Sequence, residues 1–228
     1  MSVKGKKMKF KHGDIFTFQL PTKKYMFGRI MLDIHKQCIK PKLIEPNSPL
    51  MSHGRSLLVE VYKEVSDLPN FSSSEVLIPG FYLLPDPLKS GEWQIVGHQE
   101  IDPRLVEFPE TLIRDHGFWC LERGELRMTV TVDWGQERKS WHIFPTTMSP
   151  YSLANFCLYQ LGYHDLLKPI APKGLDYWSL KSIDVRYAEI RHEIYQMIGE
   201  DEKLSYYEIS TQWGCNLITL YELTNVYE

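Results

Sequence analysis

The feature that most constrains this fold is a change in the spacing of apolar residues about two-thirds of the way along the chain. Before it, large apolar residues alternate with polar ones, as at Phe16, Phe18 and Leu20, which is typical of a half-buried strand. After Pro150 they recur at helical spacing, and Gly162 stands where such a helix would end. Because strands come first and helices follow, the order predicts an α+β fold.

This pattern divides the chain into two parts. We expect a β-rich domain over residues 10–145, built on a twisted antiparallel sheet that could close into a barrel, and a mainly helical part over residues 146–228 that packs on it. Residues 14–20 and 25–33 should form an opening hairpin, in which Gly28 marks a bulge or a close approach of two backbones. The alternation predicts further strands at 57–62, 93–98, 118–122 and 126–132.

The clearest predicted helix lies in the C-terminal part. It runs from Asp184, a candidate N-cap, to Ile198, and Gly199 follows as its stop. Residues 204–213 predict another helix, whereas the pattern over 217–221 does not separate helix from strand.

Charge and composition narrow the class of protein. Hydrophobic residues make up 43% of the 228 residues and charged residues 24%, so the chain can bury a core. The formal net charge of -3 lacks the basic excess of a nucleic-acid-binding domain. Five lysines between Lys4 and Lys11 could still touch phosphates, or they could form a solvated, frayed terminus.

Cysteine spacing and apolar runs bear on the compartment. The four cysteines, Cys38, Cys120, Cys157 and Cys215, form no CxxC pair, which fits reduced, buried thiols. No stretch has the apolar length of a signal peptide or of a membrane helix. We therefore expect a cytoplasmic protein with no membrane contact.

A search for local catalytic motifs finds none. The strings Gly-x-Ser-x-Gly and Gly-x4-Gly-Lys-[Ser/Thr] do not occur, and the eight histidines form neither HxH nor HExxH. We expect no catalytic residue, no cofactor and no metal site. An enzyme whose acid and base groups come from distant positions stays an open alternative.

Two groups of residues are candidates for binding a partner. Glu107, Glu110 and Asp115 belong to a loose acidic stretch that could face a basic partner or be an ordinary solvated face. Aromatic residues could line a recognition groove or fill the core; the tryptophans concerned are Trp93, Trp119, Trp134 and Trp141.

Several short motifs in the first half of the chain resemble a known family. They are Gly13-Asp14-Ile15-Phe16, then Tyr25-Met26-Phe27-Gly28-Arg29-Ile30, then Trp93-Gln94-Ile95-Val96-Gly97, and finally Phe108-Pro109. In sequence and spacing they are similar to the signature of the immunity protein 26 family, bacterial antidotes to polymorphic toxins. The resemblance extends to about residue 115.

The resemblance implies a cytoplasmic protein, without a cofactor, that binds a cognate toxin domain and occludes its active site. Among the matching positions, Asp14 and Arg29 could contact the toxin or could pair with each other across the hairpin and serve the fold, and Gly97 could mark a bulge. Our candidate partner-binding residues are therefore Asp14, Arg29, Trp93, Glu107, Glu110 and Asp115. A nucleic-acid-binding β-barrel is the other open alternative, disfavoured by charge, and the sequence does not give the oligomeric state.

Overall fold

The computed structural model describes residues 9–72, 75–131 and 147–222. The expected boundary between the two parts, at 145 and 146, lies outside these residues. The strands of the described part are β1 Asp14–Gln19, β2 Tyr25–Asp33, β3 Leu57–Tyr62, β4 Val76–Leu83, β5 Gln94–His98, β6 Glu110–Asp115, β7 Phe118–Arg123, β8 Leu126–Val130 and β9 Thr147–Met148. Its α-helices are α1 Asp86–Ser90, α2 Pro150–Gln160, α3 Arg191–Ile198, α4 Tyr206–Gln212 and α5 Leu217–Glu222.

Single helical turns connect these elements. One is the π-helical turn Ile34–Ile39. The others are 3₁₀ turns at Pro49–His53, Pro103–Leu105, His164–Leu166, Leu175–Trp178, Leu180–Ser182 and Val185–Tyr187.

The strands form two sheets, and the α+β prediction is confirmed. In the first sheet the order is β5-β1-β2-β3-β4-β9, with every neighbouring pair antiparallel except β4 and β9. Within the described residues β5 and β9 form its two edges, so the sheet is open and does not close into a barrel. The second sheet has the antiparallel order β6-β7-β8.

The opening hairpin forms as its alternation predicts. Phe16, Phe18 and Met26 are buried in one core cluster, together with residues of α2. Gly28 marks a close approach, since a Cβ added there would lie 2.5 Å from Phe16 Cζ and 2.8 Å from the carbonyl oxygen of Glu60. The register between β1 and β5 shifts beside Gly97, as expected of a bulge.

The second sheet packs with the C-terminal helices in another core cluster. Leu112, Leu121 and Met128 of this sheet share the cluster with Ile194 of α3 and Ile209 of α4. Separating the C-terminal part from the strands would expose these apolar side chains to water, which is unfavourable. The shared cluster therefore holds the two together.

The predicted helix over 184–198 is wrong in its first half. Asp184 accepts a hydrogen bond from the amide of Arg186, but it caps only the 3₁₀ turn Val185–Tyr187. Ala188 then adopts an extended conformation (φ -84°, ψ 145°), which breaks the helix before α3 begins at Arg191. Gly199 does end α3, in the left-handed conformation (φ 84°).

The other two C-terminal segments are helical. The prediction over 204–213 is confirmed by α4, whose N-terminus carries a capping box made by Ser205 and Glu208. Residues 217–221, which the sequence left unassigned, lie within α5.

Candidate functional site

An open groove of about 1320 Å³ lies at one end of the first sheet. It forms where β1 and β3 begin and where β2 and β4 end, and α1 borders it. Its lining residues are Lys9, Phe10, Lys11, Asp14, Asp33, His35, Lys36, Gly54, Arg55, Ser56, Leu57, Leu84, Pro85, Asp86 and Lys89. Because antiparallel strands bring distant loops to one edge, the groove gathers residues from the ends of β1, β2, β3 and β4.

The wall after β2 is held by Asp33. Its Oδ1 accepts a hydrogen bond from the amide of Lys36 at 3.0 Å, which caps the π-helical turn, and its Oδ2 lies 3.0 Å from Lys36 Nζ. Lys36 Nζ also donates to the carbonyl oxygen of Phe10 at 3.2 Å and lies 4.7 Å from the centre of the Phe10 ring. The charge of Lys36 is therefore used to tie the N-terminal segment to this wall.

Gln37 secures the same wall from behind. Its Oε1 accepts from the amide of Asp33 at 2.8 Å, and its Nε2 lies 3.5 Å from the carbonyl oxygen of Leu220 in α5. The hydroxyl of Tyr221 donates to the carbonyl oxygen of Met31 in β2. The C-terminal helix thus supports the strand end that carries the groove.

Two further basic residues of the lining are Arg55 and Lys89. Arg55 is exposed and follows Gly54, where an added Cβ would lie 2.5 Å from Ile39 Cδ1, so a glycine lets the two loops approach. Lys89 is exposed in the last turn of α1, which ends at Gly91 in the left-handed conformation. Both side chains project from backbone that neighbouring structure holds in place.

His53 stands just before Gly54 in the chain as a neutral side chain. Its ring stacks on Tyr82, with the ring centres 3.9 Å apart. Burial lowers the pKa of His53 to about 4. The imidazole therefore adds no positive charge beside the groove at neutral pH.

The groove has more positive than negative side chains. Five basic residues, Lys9, Lys11, Lys36, Arg55 and Lys89, stand against three carboxylates, Asp14, Asp33 and Asp86. Asp14 and Asp33 are engaged within the protein. Among the described residues, Lys9, Arg55 and Lys89 form no ion pair, so their charges face the solvent.

The structure places Asp14 in this groove but does not pair it with Arg29. Asp14 Oδ1 lies 2.9 Å from His98 Nδ1, and its Oδ2 accepts from the amide of Lys11 at 2.9 Å. Arg29 instead contacts Glu60, with Nη2 and Oε1 2.8 Å apart, and donates to the carbonyl oxygen of Glu100. The suggested pair across the hairpin is wrong, because the side chains of Asp14 and Arg29 are used on β5 and β3.

Trp93 lies inside the protein. It is 6% exposed, and its ring stacks on Phe16 with centres 5.5 Å apart. Of the two roles considered for this tryptophan, lining a recognition groove or filling the core, its position fits the core. Trp119 is partly buried against the second core cluster, whereas Trp134 and Trp141 lie outside the described residues. The lysines at 4, 6 and 7 also lie outside them.

The acidic stretch is paired within the protein. Glu110 is 0% exposed, and its carboxylate accepts hydrogen bonds from Arg191 Nε and Nη2 at 2.9 and 2.8 Å and from the Tyr195 hydroxyl at 2.7 Å. Burial alone would raise the pKa of Glu110, but the hydrogen bonds of Arg191 and the charge of Arg123 outweigh it and lower the pKa. This carboxylate therefore stays ionised inside the protein.

Glu107 and Asp115 are engaged in a similar way. Glu107 Oε2 lies 2.7 Å from Arg123 Nη2, and its Oε1 accepts from the amide of Tyr206 at 3.0 Å. Asp115 Oδ2 lies 3.2 Å from Arg127 Nη1. We call Glu107, Glu110, Arg123 and Arg191 the ion-pair cluster. It offers little negative charge to a partner, and Glu110 could not reach one without unfolding.

Searches for other chemistry in the described residues give no candidate centre. No group of three His, Cys, Asp or Glu side chains within them could hold a metal ion. Burial raises the pKa of the Cys38 and Cys157 thiols, which leaves them protonated and poorly nucleophilic. Over the same part of the chain, none of the helices is both apolar and long enough to cross a bilayer.

Comparison with known proteins gives one match. A model of the family described as immunity protein 26 matches residues 11–116. No curated protein and no solved structure matches the chain. The matched segment contains β1 to β6 and all of the groove lining except Lys9 and Phe10. The resemblance seen in the sequence is thus confirmed over residues 11–116, which are similar to the immunity protein 26 family.

Proposed function

We propose that this chain is an immunity protein that binds a cognate toxin domain and neutralises it by covering the toxin's active site. The observation that carries the proposal is the family match over residues 11–116. A binding role also suits the structure, because the open groove presents unpaired charges, whereas Glu107 and Glu110 are paired with arginines within the protein.

Neutralisation by occlusion needs a rigid surface and no chemistry. A stable protein–protein interface buries about 1,200–2,000 Å² in total, and a few well-placed anchors supply most of the binding energy. The open groove of about 1320 Å³ could form part of such an interface. Its backbone is fixed by the first sheet, so little conformational entropy is lost on binding.

Co-expression tests the proposal. The toxin domain encoded beside this gene would be expressed alone and together with this chain. As a specificity control, this chain would be expressed with an unrelated toxin. We expect survival only with the cognate pair, and a complex of the two proteins on co-purification. Unchanged toxicity with a folded chain and no complex would contradict the proposal.

A further inference from the structure

We propose that the basic groove is the surface that receives the toxin, and that the segment it takes is acidic. Arg55 and Lys89, with Lys9, would engage carboxylates of that segment. This inference rests on the proposed function and assigns it a surface and a partner chemistry.

The first step is the unequal use of charges in the groove. Asp33 forms an ion pair with Lys36, and the carboxylate of Asp14 is hydrogen-bonded to His98 and to the Lys11 amide. Lys9, Arg55 and Lys89 remain exposed and without an ion pair in the described part of the chain, and against them stands the exposed Asp86. The available field is therefore positive, and it attracts negative groups.

The second step is the identity of the cations. The guanidinium of Arg55 can donate two parallel hydrogen bonds to one carboxylate, whereas Lys89 contributes a compact charge on a flexible stem. Both line the groove, Arg55 just after the turn Pro49–His53 and Lys89 on α1. Two such cations suit a partner segment that carries more than one carboxylate.

The third step separates a protein from a nucleic acid. Proteins that bind single strands combine basic charge with exposed aromatic rings on which bases stack. Phe10 is the one Phe, Tyr or Trp residue of the described lining, and Lys36 lies over its ring. The groove therefore favours a peptide segment with carboxylates.

The pairing of the acidic stretch also supports an acidic partner. From the sequence, Glu107, Glu110 and Asp115 suggested attraction of a basic toxin, but their charges are matched by arginines inside the protein. The charge that remains free for a partner at the groove has the opposite sign. The complementary toxin surface is then acidic.

A charge-reversal experiment tests this assignment. The groove variant is Arg55→Glu with Lys89→Glu, and the matched control is Lys173→Glu with Lys203→Glu, which changes the same charge at two exposed residues outside the groove. Affinity is measured at low and high salt for three probes: the toxin domain encoded beside the gene, a labelled oligo-glutamate peptide and a single-stranded oligonucleotide. Thermal unfolding of each variant checks that it is folded.

We expect the groove variant to bind the toxin about 100-fold more weakly than wild type, from about tenfold for each reversed charge, and the control within about threefold. Oligo-glutamate should bind wild type and the control but not the groove variant, and salt should weaken both interactions.

Three outcomes would overturn the assignment. Toxin binding that is equally tight in wild type and groove variant would leave the proposed function standing and move the interface elsewhere. Loss of oligonucleotide binding in the groove variant, with oligo-glutamate unaffected, would make the groove a nucleic-acid site. Failure of wild type to bind both the toxin and oligo-glutamate would remove the proposed function and the acidic-partner assignment together.

Discussion

The groove and the ion-pair cluster use the same kinds of side chains in opposite ways. In the cluster, Arg191 is bound to Glu110 at 2.8 Å, and Arg123, 3% exposed at its side chain, is bound to Glu107. In the groove, Arg55 and Lys89 are exposed and unpaired within the described structure. The difference teaches that the number of charges along a sequence says little about what a surface offers, since pairing decides it.

The two regions also differ in which part of the chain they need. The ion-pair cluster joins β6 and β7 to α3 and to the start of α4, across 81 residues between Glu110 and Arg191. The groove lining comes entirely from residues 9–89. One region therefore holds the C-terminal part in place, and the other is free to meet a partner.

The largest expected change in the free energy of unfolding comes from removing the carboxylate of Glu110 from the ion-pair cluster. Glu110→Gln leaves Arg191 and part of the charge of Arg123 without compensation, and breaking a buried pair in this way costs about 3 kcal/mol or more. Chemical denaturation measures the change in the free energy of unfolding.

Asp115→Asn is the matched control, because Asp115 is partly exposed in its pair with Arg127 and should cost less than about 1 kcal/mol. Adding Arg191→Met to Glu110→Gln should recover part of the loss, because the charge left alone is removed. Equal losses for Glu110→Gln and Asp115→Asn would show that the cluster and a surface pair do not differ.

An intermediate effect on the free energy of unfolding is expected from protonation of His53 as the pH falls. Because its pKa is about 4 in the folded protein and 6.5 ordinarily, protonation favours the unfolded chain as the pH falls from about 6.5 to 4. The His53→Phe variant keeps a ring that can stack on Tyr82, and it cannot be protonated, so it should not lose stability in this way. The stability of wild type relative to the variant should drop by about 2 kcal/mol over that range.

Thermal unfolding of both proteins at several pH values measures this difference. Burial raises the pKa of Glu122 and Glu125, which acts in the opposite direction, but both residues are present in both proteins and cancel in the comparison. Parallel stability curves for the two proteins would contradict the prediction and mean that His53 becomes protonated without leaving its place.

The smallest effect is expected for the groove charges on stability. Arg55→Ser with Lys89→Ser removes two exposed cations that form no ion pair in the described structure, so the free energy of unfolding should change by less than about 0.5 kcal/mol. The same denaturation experiment measures it. A loss as large as that of Glu110→Gln would show that these cations hold the fold and would erase the contrast between the two regions.

The local pattern of the chain predicts much of the fold but not the partners of its charges. Alternation at Phe16 and Phe18 gives β1, and the apolar stretch with Gly28 gives β2. The strand β6 was hidden because Glu110 and Asp115 at its ends suggested an acidic surface. The helix over 184–198 failed because Asp184 caps a 3₁₀ turn and not α3.

The candidate site was harder to predict because its parts come from separate loops. Asp14 was singled out and lies in the groove, but Arg55 and Lys89 belong to no motif. The burial of Glu110 depends on Arg191, 81 residues further along the chain. A hint was present in the arginines that interrupt the acidic stretch, of which Arg123 does pair with Glu107.

The contact of α5 with the end of β2 has a mechanical consequence. Gln37 lies between the Asp33 amide and the carbonyl oxygen of Leu220, and Tyr221 bonds to Met31. The groove wall at Lys36 is therefore connected to the C-terminal helix by hydrogen bonds. The helix α5 supports the end of β2, and substitutions in α5 can alter the stiffness of the groove without changing any residue that lines it.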